Sequence, residues 1–198
     1  MIGRVHKNLI YGRRVEALAR HIAALLPPDA AVLDIGCGDG EVAKAILELR
    51  PDLDVSGIDV LKRPNAAIPV TEFDGERIPL PDESVDTAIL VDVLHHTDNP
   101  AVILAEAKRV AKTVVIKDHD RRGLLAGPTL RAMDWVGNVR YGVALPYNYL
   151  DPREWNELFR DLGLSVEERV DQLGLYPWPV SLLFERSLHF VARLAPTA

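Results

Sequence analysis

Three glycines at every second position, Gly36-Cys37-Gly38-Asp39-Gly40, constrain this chain more than any other feature. Ahead of them, Ala31 to Ile35 reads as a short buried strand. Behind them, Val42, Ala45, Ile46 and Leu49 recur at i, i+3, i+4 and i+7, which predicts a helix over 41–49. Glycine lets backbone approach a ligand closely and adopts positive φ without strain. The next strand, Leu53 to Val60, carries Asp59 at its end, where a carboxylate can accept both hydroxyls of a ribose. Loop and acid together predict an adenosine-type ligand.

The spacing and charge of the loop narrow that ligand. Dinucleotide folds use G-x-G-x-x-G, in which the third glycine lets helix and strand pack. This chain has G-x-G-x-G instead, with Asp34 two residues before the first glycine and Asp39 inside the loop. A carboxylate at Asp34 repels a pyrophosphate and suits an ammonium. S-adenosylmethionine carries an α-ammonium and a sulfonium and no phosphate, so the electrostatics favour this methyl donor. A dinucleotide-dependent oxidoreductase and a non-catalytic donor-binding protein are the rival readings.

The rest of the chain supplies the frame. Residues 8–26 have apolar positions at helical spacing and stop at Pro27-Pro28. Ile68 to Phe73 predicts a weak third strand. Val85 to Leu94 is apolar and predicts a fourth, ending near Val91 or Asp92. Asn99-Pro100 opens a helix as N-cap and first residue. Thr113 to Lys117 predicts a fifth strand. Strand and helix thus alternate through residue 117, which implies a mostly parallel sheet covered on both faces, with ligands at the carboxyl ends of the strands. Beyond it, Gly123 to Tyr149 reads as a helix plus a loop over the sheet edge. Asp151-Pro152-Arg153-Glu154 is a capping box, and Gly163 closes its helix. Leu164 to Val170 and Leu188 to Leu194 are two last strands, read as a hairpin with a long connection. Asp86 is read as structural, anchoring a strand start.

Length and charge bound the function classes. The 198 residues fit one domain able to bury a full core. A net charge of -6 makes nucleic acid a poor partner. The single cysteine, Cys37, permits no intrachain disulfide and fits a cytoplasmic location. No secretory signal is visible, and no apolar run approaches the length of a membrane span.

Val32–Gly40, Asp59, Phe73-Asp74-Gly75 and the stretches Ile78–Asp86 and Val93-Leu94-His95-His96 resemble the class I S-adenosylmethionine-dependent methyltransferase family, in particular its small-molecule (type 11-like) branch. The resemblance covers about residues 30–120 and, weakly, 150–195. It implies an α/β fold: a Rossmann-like, doubly wound, seven-stranded sheet, mostly parallel with an antiparallel last strand. It implies one domain over 1–198, with residues 1–28 as an N-terminal helical lid and 121–150 as a substrate cover. Asp34 and the Gly36 backbone would hold the methionine portion of the donor, and Gly38 and Gly40 would allow its close approach. Asp59 would bind the ribose, with Val60 packing on adenine. Asp74 would accept the adenine amino group, and Gly75 would face the ring. Backbone at Val91 and Asp92 would close the methionine end. S-adenosylhomocysteine would be the product.

Methyl transfer from a sulfonium is an in-line displacement, so the protein aligns the reactants and removes a proton where the nucleophile carries one. Histidine suits that task. The candidates at strand ends are His119, ranked first, and His95 and His96. Trp135, Asn138, Tyr147 and Tyr149 are candidate contacts to a small-molecule acceptor, and His6, Tyr11 and Arg13 candidates to close over the donor. Asp92, Asp118 and His119 form a weaker oxygen–nitrogen set for a divalent cation. The Asp-Asn pair of metal-assisted family members is replaced here by Asp118-His119, and no metal is expected. An Asn/Asp-Pro-Pro-aromatic motif is absent at the fourth strand, which favours an oxygen, carbon or sulfur nucleophile.

Overall fold

A computed structural model describes residues 2–138, 147–185 and 187–197, with side chains from residue 11 onward except those of 134–138. In chain order the elements are α1 (Ile2–Leu25), β1 (Ala31–Ile35), α2 (Glu41–Leu49), β2 (Asp54–Asp59), β3 (Val70–Glu72), β4 (Val85–Val91), a 3-10 turn (Leu94–His96), α3 (Pro100–Val110), β5 (Ala111–His119), α4 (Ala126–Asn138), α5 (Pro152–Asp161), β6 (Leu164–Val170), α6 (Ser181–Phe184) and β7 (His189–Pro196).

The strands form one seven-stranded sheet in the order β3-β2-β1-β4-β5-β7-β6. β1 to β5 are mutually parallel, while β7 runs antiparallel to both β5 and β6. The order reverses between β1 and β4, which creates the crevice where such sheets bind ligands. Strand alternation sorts the core into two layers. Val32, Ile89, Val115 and Val191 join Leu18, Ile22, Ala43 and Ile46 beneath α1 and α2. Leu33, Leu90, Val114, Ile116 and Phe190 point the other way, onto α3 and α5, with Leu104, Trp155 and Phe159.

Local chemistry accounts for the helix ends. The Asn99 side chain accepts from the Ala101 amide at 3.1 Å and caps α3. Asp151 and Glu154 form the full capping box of α5, and Gly163 follows at φ +60°. Asp86 accepts from the Ala31 amide at 2.9 Å and from Lys112 at 2.8 Å, tying the start of β4 to the start of β1.

Several boundaries differ from the sequence expectation. α1 begins at Ile2 rather than residue 8, because no proline interrupts the chain before Pro27. β3 shrinks to three residues at the sheet edge, bounded by Pro69, which has no amide to donate. β5 runs on through His119, because its polar end is held by the antiparallel register Asp118↔Phe190 and His119↔His189. The helix expected within 123–149 is α4; residues 139–146 lie outside the described residues.

Candidate active site

The glycine loop leaves β1 and enters α2 with Gly36, Gly38 and Gly40 at φ +72°, +60° and +75°. L side chains rarely adopt this region. A Cβ at Gly36 would meet Val93 Cγ2 at 2.6 Å, and one at Gly40 would meet Ile68 Cγ1 at 2.8 Å. Two of the three positions are therefore closed to any side chain by their neighbours as well as by backbone strain. The Gly38 amide donates to Asp59 Oδ2 at 2.8 Å, and the Leu61 amide to Asp59 Oδ1 at 2.9 Å. The acid ending β2 thus faces the loop that follows β1. Beside it, Val60 is 58% exposed, an apolar surface at the crevice. A Cβ on Gly75 would lie 3.0 Å from Val60 Cγ1, so Gly75 comes to the same place. Asp74 Oδ1 accepts the amides of Glu76 and Arg77 at 2.8 and 2.7 Å, an ordinary Asx turn that leaves Oδ2 for another donor.

Asp34 is the most unusual acid. It is 2% exposed, and no hydrogen bond or ion pair is made to its side chain among the described residues. Burial, helped by the nearby Asp59 charge, pushes its carboxyl up to about 7. Partial burial, with the charges of Asp34 and Asp59, pushes the Cys37 thiol up to about 12. A buried, unpaired carboxylate beside a backbone cradle is a place for a ligand cation. The cradle and the acids thus fit the donor's uncharged adenosine and its α-ammonium.

The second cluster lies at the ends of β4 and β5. Asp92 follows β4 at φ +57°, with its amide donating to the Lys117 carbonyl at 2.9 Å. Its two carboxylate oxygens are taken by different cations: Arg14 from α1 on Oδ2, and Lys117 from β5 on Oδ1. Burial opposes ionisation of Asp92, yet Lys117, Arg14 and the nearby histidines hold its carboxyl well below the usual range. Alternation along β5 explains the grouping. Lys117 and His119 point to the α1 side, as Val115 does, whereas Asp118 points to the α3 side with Ile116.

On that second side, Asp118 accepts from His95 Nδ1 at 2.7 Å, from the His119 amide at 2.7 Å and from the Leu94 amide at 3.1 Å. Burial works against its charge, but His95 and His119 hold the Asp118 carboxyl far below its ordinary value. An ionised carboxylate only accepts, so the His95 Nδ1 carries a proton and donates it to Asp118. His119 is 3% exposed. Burial first, then Lys117 and His95, lower its imidazole to about 4. His119 is therefore neutral near pH 7 and a weak base.

Rings assemble around these two histidines. His95 lies 4.1 Å from His96, 4.5 Å from His119 and 5.5 Å from Tyr149, centroid to centroid, and Tyr147 lies 6.3 Å from Tyr149. The Asn148 amide donates to the His95 carbonyl at 3.2 Å, which stitches the end of the 121–150 segment to the 3-10 turn. Tyr147 and Tyr149 pack with Ala126, Leu130 and Met133 in a small core of their own under α4. Trp135 and Asn138 stand on α4, and His6 on α1, but their side chains lie outside the described residues. Of the candidates to close over the donor, Tyr11 reaches Asp39 Oδ2 at 3.4 Å. Arg13 is exposed, and its neighbour Arg14 makes the contact to Asp92.

Sequence reasoning missed Arg14, Lys117 and His189. Their partners are remote in the chain: Lys117 Nζ donates to His189 Nδ1 at 3.4 Å, across 72 positions. Only the inward parity of Lys117 within an apolar strand would have flagged it.

A mostly parallel sheet with a glycine cradle at its switch point and acids at the ends of β2 and β4 defines a nucleoside-binding α/β protein. The chain belongs to the methyltransferase-domain family, whose profile matches residues 10–169, and it is a class I S-adenosylmethionine-dependent methyltransferase. The uncharacterized protein MJ1123 of Methanocaldococcus jannaschii is 35% identical over 161 residues, spanning 80% of this chain and 73% of that protein. The ubiquinone/menaquinone biosynthesis C-methyltransferase UbiE of Cupriavidus metallidurans is 27% identical over 168 residues, spanning 75% of this chain and 68% of that protein. A SAM-dependent methyltransferase of Thermotoga maritima has the same fold, with TM-score 0.68 at 20% identity over 99% of this chain and 96% of that one. Among the described residues no helix is long and apolar enough to cross a membrane.

Proposed function

We propose that the chain methylates a small apolar or aromatic acceptor at an oxygen, carbon or sulfur atom, with His95 as the base where that atom carries a proton. The observation that carries this reading is the cluster of packed rings, His95, His96, His119, Tyr147 and Tyr149, beside the ends of β4 and β5. Flat rings of this kind stack on a planar molecule, and their nitrogens and hydroxyls can meet a polar substituent on it. The likeness to a C-methyltransferase of quinone biosynthesis supports an acceptor of the same chemical kind.

The donor supplies an electrophilic methyl group. In this reading Asp34 takes its α-ammonium, Asp59 its ribose hydroxyls, Val60 and Gly75 its adenine face and Asp74 Oδ2 the adenine amino group. The backbone at Gly36, Val91 and Asp92 borders the methionine end, and Arg14 on Asp92 fastens α1 as the lid. His95 receives the acceptor proton at Nε2 while Asp118 keeps Nδ1 protonated. His119, too weak a base for that role, packs edge-on against His95. Residues 121–150 form the cover, with Trp135 and Asn138 as further acceptor contacts.

The test is turnover. Purified protein with S-adenosylmethionine and a panel of phenols, quinols, thiols, amines, peptides and RNA is assayed for S-adenosylhomocysteine release. Turnover with phenols or quinols, reduced by His95→Gln, is expected. Turnover confined to peptide or RNA would overturn the reading.

A further inference from the structure

We propose that Lys117 is a resident cation that fills a latent divalent-metal site formed by Asp92, His95 and His119. Ligand atoms of these three side chains all lie within 4.8 Å of one another. One carboxylate and two imidazoles suit zinc, cobalt or nickel. His119 Nδ1 is buried with no hydrogen-bond partner among the described residues, 3.6 Å from Asp92 Oδ1 and 3.5 Å from Asp118 Oδ1. His95 already has the outer-shell carboxylate that metal-binding histidines use, Asp118 at 2.7 Å.

The charge at the centre of this set is already supplied. Lys117 reaches in from β5 with a fully buried side chain, and its ammonium sits on Asp92 Oδ1, the same oxygen that faces His119. A second partner steadies it. His189 Nε2 donates to the Phe184 carbonyl at 2.9 Å, so Nδ1 is a lone pair that accepts from Lys117 at 3.4 Å. A divalent ion on Oδ1 would meet that ammonium at contact distance in a site shielded from water, where like charges repel strongly. Arg14 lies on the other oxygen, Oδ2, with its side chain 31% exposed. Lys117 is thus the group that decides whether a metal enters. It acts as a positioning residue: it keeps Asp92 ionised and aimed without an ion from solution. The inference uses neither the acceptor reading nor turnover.

The experiment uses the full chain and cobalt(II) alone, read by visible d–d absorption and calorimetry. Wild type and Lys117→Arg are expected to show no His119-dependent cobalt band. Lys117→Met is expected to bind one cobalt about a hundredfold or more tighter, and adding His119→Ala should abolish the band. Thermal melts check folding, and Lys117→Gln, neutral but still hydrogen-bonding, replaces the Met variant if that one melts early. A His119-dependent cobalt band in wild type, or none in a folded neutral variant, would overturn the proposal.

Discussion

His95 and Asp118 are joined by a 2.7 Å hydrogen bond in which both side chains are 1% exposed. The pair holds a proton on Nδ1 of the histidine at the centre of the ring cluster. Asp118→Asn keeps the shape and removes the charge that holds three donors. It is expected to lower stability by about 2 kcal/mol. In long-range proton–nitrogen NMR spectra it should also loosen the preference of His95 for the Nδ1–H form. An unchanged tautomer in the variant would separate the two residues functionally.

His119 is expected to remain neutral until the pH falls to about 4. Its folded-state value lies below that of an unfolded histidine. Between about 6.5 and 4 the unfolded chain therefore binds more protons, and this residue's contribution to stability declines as the pH falls through that window. Lys117→Met removes the second-largest cause of the depression, so His119 should then titrate higher. An imidazole NMR titration reads both values, and a wild-type midpoint near 6.5 would contradict the account.

Asp34 behaves in the opposite sense. Its carboxyl lies near 7 in the folded chain and about 4 in an unfolded one. Stability thus falls as the pH rises from 4 to 7 and is then level. In the proposed reading the donor's α-ammonium pairs with the ionised form. Affinity for S-adenosylhomocysteine should weaken about tenfold between pH 8 and pH 6 in wild type. Asp34→Asn should flatten that dependence, weaken binding, and raise the thermal midpoint of the free protein at pH 8 but not at pH 5.

Gly36 and Val93 test the cradle. A Cβ at Gly36 suffers both a 2.6 Å contact with Val93 and a φ of +72°. Gly36→Ala is expected to cost about 2–3 kcal/mol in chemical denaturation. Adding Val93→Ala should recover the steric share and leave the backbone strain. No recovery would assign the whole effect to backbone conformation.

Local signals made much of this fold legible. β1, α2 and β6 match their expected limits residue for residue: Gly36 follows β1, Arg50-Pro51 follows α2 and Gly163 precedes β6. The caps at Asn99 and Asp151 were readable because cap chemistry is confined to neighbouring residues. The glycine loop and Asp59 fall in the same category. The chemistry at β4 and β5 does not. Lys117, Asp118 and His119 look like a polar strand exit, yet all three are buried, because His189 on β7, Arg14 on α1 and His95 on the 3-10 turn converge on them. Such contacts depend on sheet order and strand parity, which single-sequence periodicity does not encode. The sequence alone ranks His119 ahead of His95 as base; what it does not encode is that His119 is buried beside Lys117 and that His95 meets Asp118, the two contacts on which the proposal of His95 rests.

Calorimetry with S-adenosylhomocysteine, run beside NAD and repeated on Asp59→Ala, tests the central claim most directly. One equivalent of S-adenosylhomocysteine is expected to bind, with affinity at least tenfold weaker in the variant, and NAD is expected not to bind. Binding of NAD in its place, or equal affinity with and without the Asp59 carboxylate, would contradict the account.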